Sequence, residues 1–123
     1  MIVAGIGFNT SATPKSLARA LQGAMDAARI ARVDALASAR AKAADATLTS
    51  FAADFELPLL AVDVAGIATP SQSPRVLTLY GTGSLAEAAA LAAAGPNARL
   101  IARKTASPCG RATCAIAVSQ DHP

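Results

Sequence analysis

The chain has 123 residues, a length typical of one compact domain with a single core, and we therefore take residues 1–123 as one domain. Hydrophobic residues make up 53% of the sequence but aromatic residues only 3%, which predicts a core of small aliphatic side chains. The net charge of +3 is spread along the chain and Trp is absent, which argues against a nucleic-acid-binding protein.

The sequence predicts a cytoplasmic protein that does not bind membranes. Its first residues, MIVAGIG, carry no charged leader, and no stretch reaches the roughly 18 consecutive apolar residues of a membrane span. Cys109 and Cys114 are expected to be free thiols, because small secreted domains usually carry several disulfides. No metal site is predicted, since the two cysteines lack further ligands and the only histidine, His122, adjoins the C-terminal residue. We expect no cofactor.

The first part of the chain predicts a strand followed by a helix. The apolar run Ile2 to Gly7 is typical of a buried strand. Thr13 and Pro14 then predict a helix start, because they supply a capping hydroxyl and a residue whose φ already suits the first helical position. Apolar residues spaced three and four apart predict the helix face that packs on the sheet: Leu17, Leu21, Ala24, Met25 and Ala28.

The next segment predicts a second strand, a second helix and a third strand. Residues 33–39 are interpreted as a strand by their context. Residues 45–55 carry an apolar stripe at helical spacing, with Asp45 placed as a favourable carboxylate at the helix N-terminus. Pro58 interrupts the chain, and Leu59 to Val62 is expected to be a short buried strand.

The second half of the chain begins with a Ser- and Pro-rich loop at residues 68–74. Residues 75–80 could form a strand by composition, but Ser73 and Pro74 indicate a helix start and Gly81 a helix stop, so a short helix is preferred. Ser84 and Glu87 form the pattern S-x-x-E, which predicts a capping box at the start of an Ala- and Leu-rich helix.

Gly95 and Pro96 end that helix, and residues 98–102 and 113–118 are predicted as the last two strands, separated by a polar loop at 103–112. Strands that alternate with helices predict a layered α/β domain with a largely parallel sheet.

Two glycine-bearing turns are candidate ligand sites. After Gly5-Ile6-Gly7, backbone N–H groups and loop side chains could hold a carboxylate or phosphate, although the segment is neither a dinucleotide-binding nor a Walker sequence. The alternative is that these glycines only turn the chain. The polar residues of this loop are Asn9, Thr10, Ser11 and Thr13.

The second turn, Gly81 to Ser84, precedes the helix with the S-x-x-E pattern, and helix capping alone would also explain Ser84 and Glu87. A third candidate is Lys104, which follows Arg103 at the expected end of a strand. This pair could hold an anionic ligand or could be a solvated surface pair.

Several segments together resemble one known family. They are AGIGFN followed by the Thr-Pro helix, SARAKAADATLTSFAADFELPL, GTGSLAEAAALAAAGPNARLIARK and ATCAIAV. The family is that of the CobE-type cobalamin-biosynthesis proteins, similar to the C-terminal domain of CbiG-type cobalt-precorrin-5A hydrolases. The resemblance covers almost the whole chain. It implies a three-layer α/β/α domain with about five strands in a mostly parallel or mixed sheet, and a role in making the corrin ring.

The resemblance also implies site residues at the positions that match the family. Where family members often have Cys and Arg after the first Gly-Ile-Gly, this chain has Phe8 and Asn9, which argues against a thiol-dependent or Arg-dependent role for that loop. The residues carried over are Gly5, Gly7, Lys42, Asp45, Ser84, Glu87, Lys104, Gly110 and Thr113.

We expect Asn9, Ser11, Lys42, Ser84 and Lys104 to surround one cleft at the carboxyl ends of the strands, where open α/β sheets bind ligands. There they would hold the carboxylates of a tetrapyrrole intermediate of the precorrin or cobyrinic type.

Two alternative functions stay open. The domain could open the ring lactone of a precorrin intermediate, with Lys104 or a bound water transferring a proton. It could instead be a module that binds other enzymes of the pathway or a second copy, for which the helix over residues 85–94 could supply an apolar patch. Catalytic residues are not assigned.

Overall fold

In the computed structural model, residues 1–119 are described, so the histidine at position 122 lies outside the described residues. The described part of the chain forms five strands and five helices. In chain order these are β1 (Ile2–Phe8), α1 (Pro14–Ala28), β2 (Ala35–Ala39), α2 (Arg40–Ala43), α3 (Ala46–Asp54), β3 (Leu59–Val62), α4 (Pro74–Tyr80), α5 (Leu85–Ala94), β4 (Arg99–Ala106) and β5 (Ala112–Val118).

The five strands form one sheet in the order β3-β2-β1-β5-β4. The pairs β1–β2 and β2–β3 are parallel, whereas β5 runs antiparallel to both of its neighbours, β1 and β4. Four strands therefore point in one direction and β5 points in the other. The predicted α/β class, with about five strands in a mostly parallel or mixed sheet, is confirmed.

Helices cover both faces of this sheet. Because successive side chains of a strand point to opposite faces, Val3 and Ile6 of β1 belong to different hydrophobic clusters. Ile6 packs with Leu17 of α1 and Phe51 of α3 on one face. Val3 packs with the alanines of α5 on the other. The result is the predicted three-layer α/β/α arrangement.

The start of α1 agrees with the prediction and adds one detail. The Thr13 hydroxyl accepts a hydrogen bond from the Ser16 backbone N–H at 3.2 Å, and the Ser16 hydroxyl accepts one from the Thr13 backbone N–H at 2.8 Å. This reciprocal capping box uses Ser at a position where Glu or Gln is more usual. Of the predicted apolar face, three residues are buried and Met25 and Ala28 are partly buried; the buried ones are Leu17, Leu21 and Ala24.

Three element predictions need correction. The short helix α2 was not expected, since it follows β2 without a loop. β3 is not buried as predicted, because it lies at the sheet edge and its side chains are only partly covered. β4 continues to Ala106, so the predicted loop at 103–112 shortens to 107–111. Two register shifts in the β4–β5 pairing interrupt the alternation of buried and exposed residues, which hid this extension in the sequence.

Helix α5 is nearly enclosed by the rest of the domain, with seven of its ten residues buried. No single helix among residues 1–119 is long and apolar enough to cross a membrane. Only α4 and α5 taken together reach that length and composition, and they are bent by 53° relative to each other.

The contact between α5 and β1 requires glycine at position 5. A Cβ atom on Gly5 would lie 2.0 Å from the Ala86 carbonyl oxygen and 2.6 Å from the Ala90 nitrogen, both backbone atoms of α5. Helix and strand therefore approach each other more closely than a methyl group would allow.

The two ends of the described chain lie side by side. The Met1 ammonium group donates to the Ser119 hydroxyl at 2.7 Å, and the Ser119 backbone N–H donates to the Met1 carbonyl at 3.0 Å. Both residues extend the central pair formed by β1 and β5.

We predict that Gly5→Ala lowers the free energy of unfolding by about 1–3 kcal/mol, because the methyl group forces α5 away from the sheet. Urea denaturation followed by circular dichroism measures the change. Gly23→Ala, inside α1, is the control and should cost less, because its Cβ would press at 2.9 Å on a side-chain methyl of Thr105 and on no backbone atom. Equal stability of Gly5→Ala and the wild type would contradict the tight contact.

Candidate functional site

A cleft of about 400 Å³ lies at the carboxyl end of β1. It is bounded by the loop after β1, by α2, α4 and the start of α5, and by β4, β5 and the turn between them. Its lining residues are Gly7, Phe8, Asn9, Thr10, Lys42, Ser73, Arg75, Val76, Leu79, Tyr80, Ser84, Leu85, Lys104, Gly110, Arg111, Ala112 and Thr113.

The cleft carries positive charge from four directions. Lys42 comes from α2, Arg75 from the first turn of α4, Lys104 from β4 and Arg111 from the turn before β5. Among the described residues that line the cleft there is no Asp or Glu. Cations that line a concave surface reinforce one another's potential, so the cleft attracts anions.

One wall of the cleft is apolar. Val76, Leu79 and Tyr80 of α4 face it, together with Leu85 and Phe8. Leu79 is 62% exposed, a high value for a large aliphatic side chain. An apolar wall opposite cationic groups suits a ligand that has an apolar body and anionic edges.

Lys42 is held in place by Phe8. Its ammonium group donates a hydrogen bond to the Phe8 carbonyl and lies 4.7 Å from the centroid of the Phe8 ring, within the range of a cation–π interaction. Phe8, the last residue of β1, therefore positions a cation at the rim of the cleft.

The loop after β1 is tied to the turn between β4 and β5. The Asn9 backbone N–H donates to the Arg111 carbonyl at 3.0 Å, and the Asn9 side-chain oxygen accepts from the Ser11 backbone N–H at 2.9 Å. Below them, the Thr113 hydroxyl donates to the Gly7 carbonyl at 3.3 Å. These bonds fix the distance between two sides of the cleft.

Of the two hydrogen bonds in the predicted capping box at Ser84 and Glu87, one is confirmed and the other is wrong. The Ser84 hydroxyl accepts from the Glu87 backbone N–H at 3.3 Å, as expected. The fully buried Glu87 carboxylate instead accepts from the Ser71 N–H at 2.9 Å, the Ser71 hydroxyl at 2.7 Å and the Lys104 N–H at 2.9 Å. It is the carboxylate that is buried, and these three donors satisfy its oxygens, which explains why it turns away from the helix start.

The comparisons with known proteins agree with this architecture. Residues 2–117 match the sequence model of a family described as cobalamin synthesis G C-terminus. The chain belongs to this family. Membership confirms the resemblance found in the sequence and connects the protein with cobalamin biosynthesis.

Solved structures support the assignment. CobE, a protein from the cobalamin (vitamin B12) biosynthetic pathway, is 28% identical with a TM-score of 0.76, over 95% of this chain and 92% of CobE. The cobalamin biosynthesis protein chiG from Agrobacterium tumefaciens strain C58 is 35% identical with a TM-score of 0.74, over 98% of this chain and all of chiG.

A cobalamin biosynthesis protein G homologue from Sulfolobus solfataricus shares the fold, with 22% identity and a TM-score of 0.66. There the match covers 98% of this chain but 37% of the Sulfolobus chain. No curated protein matches the sequence.

The cleft of this cobalamin synthesis G C-terminus domain brings together most of the residues singled out in the sequence. Those that line it are Gly7, Asn9, Thr10, Lys42, Ser84, Lys104, Gly110 and Thr113. Their role in ligand binding stays a prediction.

Besides Arg103, which is exposed on β4, five other candidate residues do not line the cleft. Gly5 lies under α5, and Ser11 stabilises the loop after β1 by its N–H. Thr13 caps α1, and Asp45 caps α3 by accepting from the Thr47 and Leu48 N–H groups. Glu87 is buried behind the cleft. Their positions favour structural roles.

Sequence reasoning missed Arg75, Arg111 and the apolar wall formed by α4. The signal for Arg75 was available, because the Ser73-Pro74 helix start places it on an exposed first turn. Arg111 could not be found this way, since its place depends on β5 pairing with β1.

The two cysteines are free, as predicted, and their surroundings differ. Cys109 is exposed in the turn before β5, and its sulfur lies 3.3 Å from the Ser107 hydroxyl, whose hydrogen bond lowers the pKa of the thiol. Cys114 is buried in β5, and burial raises its pKa. Residues 1–119 contain no cluster of His, Cys, Asp and Glu able to hold a metal ion.

We predict that Glu87→Ala lowers the free energy of unfolding by about 2–3 kcal/mol, because it removes the acceptor of three hydrogen bonds. Urea denaturation provides the measurement. Asp54→Ala, an exposed acidic residue at the end of α3, is the matched control and should change stability by less than about 0.5 kcal/mol. Comparable losses of stability in Glu87→Ala and Asp54→Ala would refute the role of Glu87 in connecting Ser71 and Lys104 to α5.

We also predict that iodoacetamide modifies Cys109 and spares Cys114 in the native protein. A lowered pKa gives Cys109 more thiolate near neutral pH, and the thiolate is the reactive form. Ser107→Ala should raise this pKa and shift the pH profile of alkylation to higher pH. Mass spectrometry of alkylated peptides gives both rates. Equal labelling of the two cysteines without denaturant would show that the assignment is wrong.

Proposed function

We propose that the cleft binds a carboxylate-bearing corrin-ring intermediate of cobalamin biosynthesis. The observation that carries the proposal is the set of four cationic side chains around an acid-free cleft that has one apolar wall. A corrin has the complementary chemistry, because its macrocycle is largely apolar and its peripheral chains end in carboxylates.

The arrangement of charges favours a polyanion over a single anion. Lys42, Arg75, Lys104 and Arg111 come from four separate elements, so carboxylates spaced around a ring could each meet a cation. Arginine adds selectivity, because its planar guanidinium can pair with a carboxylate through two parallel hydrogen bonds.

Uncharged polar groups lie beside the four cationic side chains. Asn9 and Thr10 at the carboxyl end of β1 add polar groups at the mouth of the cleft, the place where open α/β sheets commonly bind ligands. The cleft volume of about 400 Å³ falls within the range of about 300–1,000 Å³ seen for ligand pockets.

Opening of a ring lactone is the enzymatic alternative. The described residues that line the cleft include no His, Cys, Asp or Glu. Lys104, the base candidate indicated by the sequence, does line it. Incubation of a lactone-bearing precorrin with the chain tests this alternative, since turnover that Lys104→Ala abolishes would replace the binding proposal with a catalytic one.

We predict that cobyrinic acid, a corrin with free carboxylates, changes its visible spectrum when titrated with the protein, and that added salt weakens the binding. Arg75→Gln and Arg111→Gln should each weaken binding by about two- to fivefold, as expected for solvent-exposed ion pairs. Arg99→Gln, on β4 and outside the cleft lining, should bind like the wild type.

Two results would count against this function. One is the absence of a spectral shift and of co-elution at micromolar protein. The other is binding to which the Arg75 and Arg111 variants are as indifferent as the Arg99 control, because the ligand would then occupy another surface.

A further inference from the structure

A second groove lies on the face of the sheet that α1 and α3 cover. Its volume is about 530 Å³, and it shares no lining residue with the cleft. One side is formed by α1, and the other by residues 31–33 and the segment that follows α3. We call it the α1–α3 groove.

The floor of the α1–α3 groove is apolar and incompletely covered. Leu21, Met25, Leu57 and Phe55 line it, and Phe55 is 51% exposed even though its ring lies 4.7 Å from that of Phe51. Leu21, Met25 and Leu57 pack on the core beneath, so the floor is held in place before anything binds. Covering it would remove apolar surface from water, which favours association.

The rim of the groove is cationic. Lys15 and Arg19 stand four residues apart on α1, hence on one side of the helix, and Arg32 reaches in from the turn before β2. The described lining residues include no Asp or Glu. Two carboxylates lie nearby. Asp26 accepts from the Gln22 amide at 2.8 Å, and Asp34 accepts from the Ile2 N–H at 2.7 Å and pairs with the Arg32 guanidinium at 4.0 Å. Lys15 and Arg19 are therefore the rim cations that carry the charge argument.

Whether a sheet edge lines the groove decides which type of partner it can bind. A partner strand would need the free N–H and C=O groups of a sheet edge, but the edge strands β3 and β4 do not line the groove. A helix satisfies its own backbone and needs only an apolar stripe to cover Phe55 and the floor. Acidic residues beside that stripe would face Lys15 and Arg19.

We propose that the α1–α3 groove docks an acidic amphipathic helix of a partner protein. The interaction is separate from ligand binding, because the groove and the cleft have no residue in common. The domain can therefore hold a ligand in the cleft while it contacts a partner through the groove.

Selection from an unbiased library of displayed helical peptides against the full chain tests the proposal. We expect enriched peptides to combine apolar residues at positions i, i+3 or i+4, and i+7 with flanking Asp and Glu. Arg19→Glu should weaken their binding by about tenfold or more, since it replaces an attraction with a repulsion. Phe55→Ser should also weaken it, through loss of apolar contact area.

Arg99→Glu is the matched control, because it makes the same charge change at an exposed site outside the groove and should leave peptide binding intact. Fluorescence anisotropy with a selected peptide measures each variant. Arg19 lies on the solvent side of α1, so the Arg19→Glu variant is expected to fold.

Four outcomes would overturn the proposal. The first is that no peptide is enriched, and the second is that basic peptides are enriched. The third is peptide binding that neither Arg19→Glu nor Phe55→Ser affects. The fourth is that the library yields no peptide while dodecanoate binds one-to-one and Arg19→Glu abolishes that binding. The last outcome would assign the groove to a small amphiphilic carboxylate.

Discussion

The close contact between α5 and β1 determines how the rest of the domain is arranged. Gly5 lets the backbone of α5 approach the central strand to a distance that no side chain would allow. The alanine side chains of the helix are too small to hold it away from the sheet. The same contact places Ser84 and Leu85, at the start of α5, beside Gly7 at the end of β1. The floor of the cleft is thus a direct result of packing without side chains between helix and strand.

Above that floor, the cleft depends on one buried carboxylate. Glu87 accepts hydrogen bonds from Ser71, which precedes α4, and from Lys104 on β4. The apolar wall and one of the cationic side chains are therefore connected to the same side chain of α5. Glu87, which the sequence indicated as a candidate ligand contact, thus holds two sides of the cleft at a fixed relative position.

Much of the fold could be predicted because its signals are local. Thr13, Pro14, Asp45 and Gly95 mark helix ends by capping chemistry that acts within a few residues, and the structure places helix ends there. The direction of β5, the edge position of β3 and the partners of Glu87 depend on contacts between residues far apart in the chain. Lys42 and Lys104 could be proposed for one cleft because the family resemblance implied both of them, whereas it implied neither Arg111 nor the wall formed by α4.

The adjacency of Met1 and Ser119 has a consequence for protein engineering. β1 runs from Ile2 to the cleft at Phe8, so at a rise of about 3.3 Å per residue Met1 and Ser119 lie roughly 20 Å from the cleft mouth. A domain joined directly to Met1 or to Ser119 would leave the cleft open. A circular permutant that joins Ser119 to Met1 by a short linker should likewise keep the sheet order and allow new termini between α5 and β4, where Pro96 and Asn97 are exposed.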